Sequence, residues 1–174
     1  MFYGIFAGII VLAVALDQLT KYLVVQNIPL GGYVEALEWV FHLTYVRNQG
    51  AAFSALWGQR WLFVVIFALF GLVLVWMLKK RYPLAKCEYF CLAAIFGGGL
   101  GNVIDRVAHG YVVDMIAVDF FKMPVFRFSG GFHVDWQSFA VFNVADCFIT
   151  VGVVILMVHL IFFNKEFWKD GNNK

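Results

Sequence analysis

Charge is scarce in this chain. Only 14% of its 174 residues are Asp, Glu, Lys or Arg, while 63% are hydrophobic; a soluble domain carries about 25% charged and 45–50% apolar residues. A soluble globular class is excluded, and one integral membrane domain covering 1–174 is expected. A formal charge of +2 is too small to argue for a nucleic-acid partner. Aromatics, at 19%, fit the belts that line membrane interfaces.

Cysteine and serine are also sparse. Cys87 and Cys91 sit one turn apart on a predicted helix and Cys147 lies in another span, so packing is expected of them, not a disulfide framework. The serines are Ser54, Ser129 and Ser138, with no G-x-S-x-G elbow. No H-E-x-x-H occurs, His42, His109 and His133 lack ligand spacing, and His159 reads as structural. Serine catalysis and zinc hydrolysis are both poorly supplied, and no metal or cofactor is expected. The N-terminus lacks a basic n-region and a small-residue cleavage site, so its apolar run reads as a retained first span.

Long apolar runs are what the chain does have. Four are long enough for about 30 Å of hydrocarbon at about 1.5 Å per residue, and they cover 2–25, 60–78, 87–107 and 139–163. The second has no charge between Trp61 and Leu78 and reads as a lipid-facing scaffold helix. The expected fold is all-α and transmembrane, with four helices, a small extracytoplasmic β-sheet or cradle, and an interfacial lid.

Basic residues orient the spans. Lys79, Lys80, Arg81 and Lys86 lie between spans two and three, and Lys165, Lys169 and Lys174 lie in the tail. The positive-inside rule places both segments, and hence both termini, in the cytoplasm. Segments 26–59 and 108–138 then lie outside. The first contains a Gly31-Gly32 turn signal followed by period-2 alternation from Leu37 to Val46, which predicts a strand. The second is rich in aromatics, with loop signals at Pro124 and Gly130-Gly131, and reads as a lid. Gly97 and Gly101, four apart in the third span, favour close approach of a neighbouring helix.

In this orientation the polar residues within the spans gather at the outer level. Asp17 and Lys21 share one face of the first span and can form an ion pair. Asn102, Asp105 and Arg106 end the third span, and Asp105, beside Arg106 at a helix end, reads as a structural carboxylate. Asn143 and Asp146 share a face of the fourth span, and Asp114 can fold back over them. Glu88, at the inner edge, is the exception. A carboxylate near the bilayer centre costs roughly 2.5–3.5 kcal/mol on insertion scales, so Asp146 reads as functional.

Two carboxyl groups in one site cannot both ionise readily, so one keeps its proton. The ionised partner can then activate water while the protonated one polarises a peptide carbonyl, which amounts to amide hydrolysis without metal or covalent intermediate. The alternative is a proton-coupled transporter using the same intramembrane aspartates. It is weakened by the lack of internal repeats and of polar groups in the inner halves of the spans.

Five motifs, DQLTKY (17–22), RNQGAAFS (47–54), GNVIDR (101–106), GYVVD (110–114) and FNVAD (142–146), occur in an order that resembles the bacterial lipoprotein signal peptidases (signal peptidase II), a family of membrane aspartyl proteases. The resemblance implies that Asp114 and Asp146 are the catalytic pair. It further implies that Asn48, Gly50, Asn102, Arg106 and Asn143 line the substrate site, supported by Asp17 and Lys21. By the same resemblance, the substrate is a prolipoprotein signal peptide cut just before a diacylglyceryl-modified cysteine. The setting is the bacterial cell membrane, with the active site at its outer face, lipids as partners and a monomeric state. The chain departs from the family at Gly99-Leu100, where alanine is usual. Its stretch between Asp114 and Phe142 is longer than usual and adds Asp119 and Asp135.

Overall fold

The computed structural model describes residues 2–37, 41–50, 58–118 and 141–163. Four helices, α1 (Phe2–Asn27), α2 (Arg60–Lys80), α3 (Lys86–His109) and α4 (Val144–Phe162), are each long and apolar enough to cross a membrane. Three strands, β1 (Tyr33–Leu37), β2 (Phe41–Asn48) and β3 (Val112–Val118), form one antiparallel sheet with β2 in the middle. Residues 119–138 of the expected lid, with Asp119 and Asp135, lie outside the described residues, as do the tail lysines.

Local chemistry sets the helix ends. Ile28-Pro29 follows α1, and the proline, lacking an N–H, cannot extend the helix; the Asn27 side-chain amide folds back to donate to the Leu23 carbonyl at 2.7 Å. Gly110, at φ 83°, supplies the left-handed residue that closes α3. Gly31, at φ 76°, makes the turn expected of the glycine pair, and its N–H donates to the Tyr45 carbonyl at 2.9 Å.

Helix α3 is the hub, and its glycines explain why. An added Cβ at Gly97 would lie 2.8 Å from the Ala13 Cβ and 3.1 Å from the Ile10 backbone. At Gly101 it would strike the Asp17 carboxylate, at Gly98 the Ala145 carbonyl, and at Gly99 it would lie 2.7 Å from the Phe67 ring. These residues therefore admit α1, α4 and α2 in turn, the close backbone approach that packs helices in lipid, where no hydrophobic drive brings them together. Helix α2 presents most of its surface outward, with Leu74 its one buried residue, as expected of a scaffold helix.

The sheet rests on the end of α1. Val24 and Ile28 pack with Tyr45, Val113 and Met115 in a small core. Three expectations change here. The alternating stretch 37–46 divides between β1 and β2, with 38–40 outside the described residues. The first residues of the expected lid form β3, because Val112, Val113, Ile116 and Val118 are β-branched and find an open edge on β2. The fourth span begins at Val144, not 139, because Phe142 bridges to Ile116 and holds the approach to α4 extended.

Candidate active site

Two backbone features bring Asp114 to the start of α4. A bulge in β2 sits opposite β3: Leu43 pairs with Ile116 and Val46 with Asp114, three steps against two. The extra residue puts Val46 and Asn48 on the same face as Asp114, the re-aiming for which bulges recur beside sites. On the other edge of β3, the Phe142 carbonyl accepts from Met115 N at 3.0 Å and Ile116 N at 2.7 Å. That bridge sets the next residue, Asn143, against Asp114.

Asn143 is the N-cap of α4. Its Oδ1 accepts from the Asp146 N–H at 3.1 Å, and Asp146 Oδ2 accepts from the Asn143 N–H at 3.2 Å, which is a reciprocal capping box. Asp146 therefore occupies the first turn of α4, near the positive end of the helix dipole, not a position inside the span. The Asn143 Nδ2 donates to Asp114 Oδ1 at 2.7 Å and to Asn102 Oδ1 at 3.1 Å. Asn102 Nδ2 in turn donates to Asp146 Oδ1 at 2.8 Å, and Asn48 Nδ2 donates to Asp114 Oδ2 at 2.9 Å. The two acids thus converge on one asparagine, each with both oxygens engaged.

Behind the asparagines lies a buried ion cluster. Lys21 Nζ is 2.8 Å from Asp17 Oδ2, 3.0 Å from Asp105 Oδ2 and 3.0 Å from Asn102 Oδ1. Asp17 Oδ1 accepts from the Ala145 N–H of α4 at 3.0 Å. Gln18 Nε2 donates to Asp105 Oδ1 at 3.0 Å and to Asp17 Oδ2 at 3.2 Å. Every buried side-chain nitrogen and oxygen among the described residues has a partner, the condition under which a buried polar network rigidifies its surroundings.

On the other side, Arg106 donates to the Gly50 carbonyl at 3.0 Å and to its own helix at the Asn102 carbonyl at 3.3 Å, with its guanidinium 4.5 Å from the centre of the Phe63 ring. Asn48 Oδ1 accepts from Gly50 N at 2.9 Å. Asn48, Gly50 and Arg106 therefore form one edge of the site, next to Asp114.

Burial is the main force on Asp114, which is 3% exposed. Its carboxyl is pushed up to about 6, first by desolvation, with the Asp146 charge adding to the rise while Asn48, Asn143 and the Lys21 charge oppose it. Asp146 is only partly buried. One carboxyl is thus disposed to keep a proton beside a more accessible partner, an arrangement suited to acid–base attack on a carbonyl. Among the described residues, no group of three His, Cys, Asp or Glu side chains is placed to hold a metal ion.

The sequence-derived set of Asp114, Asp146, Asn48, Gly50, Asn102, Arg106 and Asn143 lies together, with Asp17 and Lys21 directly behind. Gln18 was missed as a member of this network. Asp105, read as a structural carboxylate at the helix end, also accepts from the Val113 N–H of β3 at 3.0 Å. The signal for Gln18 was its place between Asp17 and Lys21 in DQLTKY. At the far end of the bundle, the expected structural role of His159 is met by Glu88, whose Oε1 lies 3.0 Å from its Nδ1.

The sequence profile described as Signal peptidase (SPase) II matches residues 9–162. A lipoprotein signal peptidase of Streptococcus pneumoniae is 42% identical over 161 residues, covering 91% of this chain and 93% of the relative. One from Streptococcus thermophilus is 40% identical over 159 residues, covering 91% and 89%. A bacterial membrane enzyme solved by the in meso method at 2.3 Å superposes with a TM-score of 0.76 at 30% identity, covering 98% of this chain and 93% of that one. With its fold, its ordered motifs and nearly its whole length in common with these proteins, the chain belongs to the signal peptidase II family.

Proposed function

We propose that this protein removes the signal peptide from diacylglyceryl-modified prolipoproteins, cutting just before the lipidated cysteine, with Asp114 and Asp146 as its acid–base pair. The observation that carries the residue assignment is the convergence of both carboxyls on Asn143. Family membership favours hydrolysis over proton-coupled transport.

In this reading the ionised carboxyl takes a proton from water as the oxygen attacks the scissile carbonyl. The protonated carboxyl donates to the carbonyl oxygen, and collapse of the tetrahedral adduct sends a proton to the departing cysteine nitrogen. The pair exchanges one proton and titrates as a unit. Asn48, Gly50, Asn102, Arg106 and Asn143 hold the peptide and the acids in register, and Asp17 and Lys21 support them.

The protein acts as a single monomeric domain of the bacterial cell membrane, with lipids as its surroundings and both termini cytoplasmic. The basic residues Lys79, Lys80, Arg81 and Lys86 anchor the end of the bundle away from the carboxyls, which supports a site beneath the outer headgroups.

The test is incubation of the purified protein with diacylated and unmodified forms of one precursor peptide. Cleavage of the diacylated form alone is expected, and it should vanish in Asp114→Asn and Asp146→Asn. Undiminished activity in either variant removes that residue from the mechanism. Equal cleavage of both peptides removes the lipid requirement.

A further inference from the structure

Asp105 has no place in the proposed chemistry, yet it is 3% exposed and holds together groups from three elements. Its Oδ2 accepts from the backbone N–H of Val113, the residue before Asp114, at 3.0 Å. The same oxygen lies 3.0 Å from Lys21 Nζ. Lys21 donates in turn to Asn102 Oδ1 at 3.0 Å. An asparagine whose Oδ1 faces an ammonium can present only its NH₂ on the other side, and there Asn102 Nδ2 meets Asp146 Oδ1 at 2.8 Å.

We propose that Asp105 is a positioning residue for both acids, setting Asp114 through the Val113 amide and Asp146 through the Lys21–Asn102 relay. The inference rests on the catalytic reading of Asp114 and Asp146.

The arrangement follows from charge and geometry. Lys21 has three donors, and they meet Asp17, Asp105 and Asn102. With all three engaged the ammonium cannot turn, so the Asn102 amide is held in one of its two orientations. Gln18 holds the other Asp105 oxygen at 3.0 Å, which fixes the carboxylate plane. Asp105 also balances charge. Among the described residues, the charged or titratable groups around it are Lys21 and Asp17 from α1, Arg106 on its own helix and Tyr111 beyond the helix end. Lys21 acts on Asp114 as well. Removing the Asp105 charge leaves Lys21 less neutralised and strengthens its stabilisation of the ionised Asp114 carboxylate.

The experiment compares Asp105→Asn and Asp105→Glu with wild type on the diacylated peptide across pH, with thermal melting of each purified protein. Asp105→Asn keeps the shape and an acceptor for Val113 but loses the charge that steadies Lys21. Its kcat is expected to fall about tenfold or more, as misplaced reacting groups do, with KM within about twofold. Its basic limb should move to lower pH. Asp105→Glu should recover part of kcat and return the limb toward wild type.

An unchanged kcat and limb in Asp105→Asn, with Asp114→Asn and Asp146→Asn inactive, overturns the positioning role and leaves the function standing. A lower melting temperature that merely scales activity down, with no movement of the limb, also overturns it. Activity surviving in Asp114→Asn or Asp146→Asn instead overturns the function reading, and the inference with it.

Discussion

Asn143 and Asp114 are joined by a 2.7 Å hydrogen bond between a helix cap and a strand, from Asn143 Nδ2 to Asp114 Oδ1. The bond spans 29 residues of sequence and closes the site. Because the Asn143 Oδ1 faces the Asp146 N–H, the amide has no freedom to flip without losing both contacts.

Replacing Asn143 by Ala should therefore affect both stability and catalysis. Loss of the cap is expected to cost about 1 kcal/mol, read as a fall in melting temperature. The kcat should fall by about a hundredfold or more, since Asp114 loses its Asn143 donor and the Asp146 backbone loses the cap oxygen that holds it in place. A variant that loses stability but keeps its kcat would limit Asn143 to capping.

The proton on Asp114 sets a pH window. Its ordinary value of 3.8 is raised to about 6 in the folded protein, chiefly by burial. The folded state thus holds this proton more tightly than the unfolded chain does. The resulting stabilisation is complete below 3.8 and is lost as pH rises through about 6. Activity should decline over the same upper range as the proton shared by the pair leaves. A pH–rate profile checks the second statement, and melting at pH 5 against pH 8 checks the first. Asp114→Asn should flatten the stability profile.

Lys21→Met should destabilise by about 3–5 kcal/mol, because Asp17 and Asp105 would remain buried without their cation. Melting in detergent measures this directly. Adding Asp17→Asn to Lys21→Met should recover part of the loss, since one uncompensated charge disappears.

Gly101→Ala should also destabilise, by about 1–3 kcal/mol as overpacked cores do, since its new methyl meets the Asp17 carboxylate. Gly8→Ala is the contrasting case, because nothing lies within 4 Å of that position. It should melt at or slightly above wild type.

The spans were legible because lipid demands long apolar runs, and the polar residues within them stood out against that background. The residues that meet in the site were legible from their motifs, but their contacts were not. Tyr111 to Val118 carries the β-branched signature of a strand, which the aromatic character of the whole segment masked. Asn143 and Asp146, three apart just before an apolar run, have the pattern of a cap with an acidic third residue, so α4 begins at the site and does not pass through it. The β2 bulge leaves no mark in residue type, because its cause is pairing with a strand about 70 residues downstream. Asp105 sits beside Arg106 in sequence, but its partners are Lys21, Gln18 and the Val113 amide. Those contacts depend on the close α1–α3 approach that Gly97 and Gly101 permit.

Among the described residues, helix α2 meets this polar machinery at Phe63, whose ring lies 4.5 Å from the Arg106 guanidinium. The blandest segment of the chain therefore keeps one aromatic hand on the site. An Arg held over such a face is stabilised by about 0.5–2 kcal/mol, so exchanging Phe63 for Leu or Trp would retune how firmly the guanidinium is held without disturbing a single hydrogen bond.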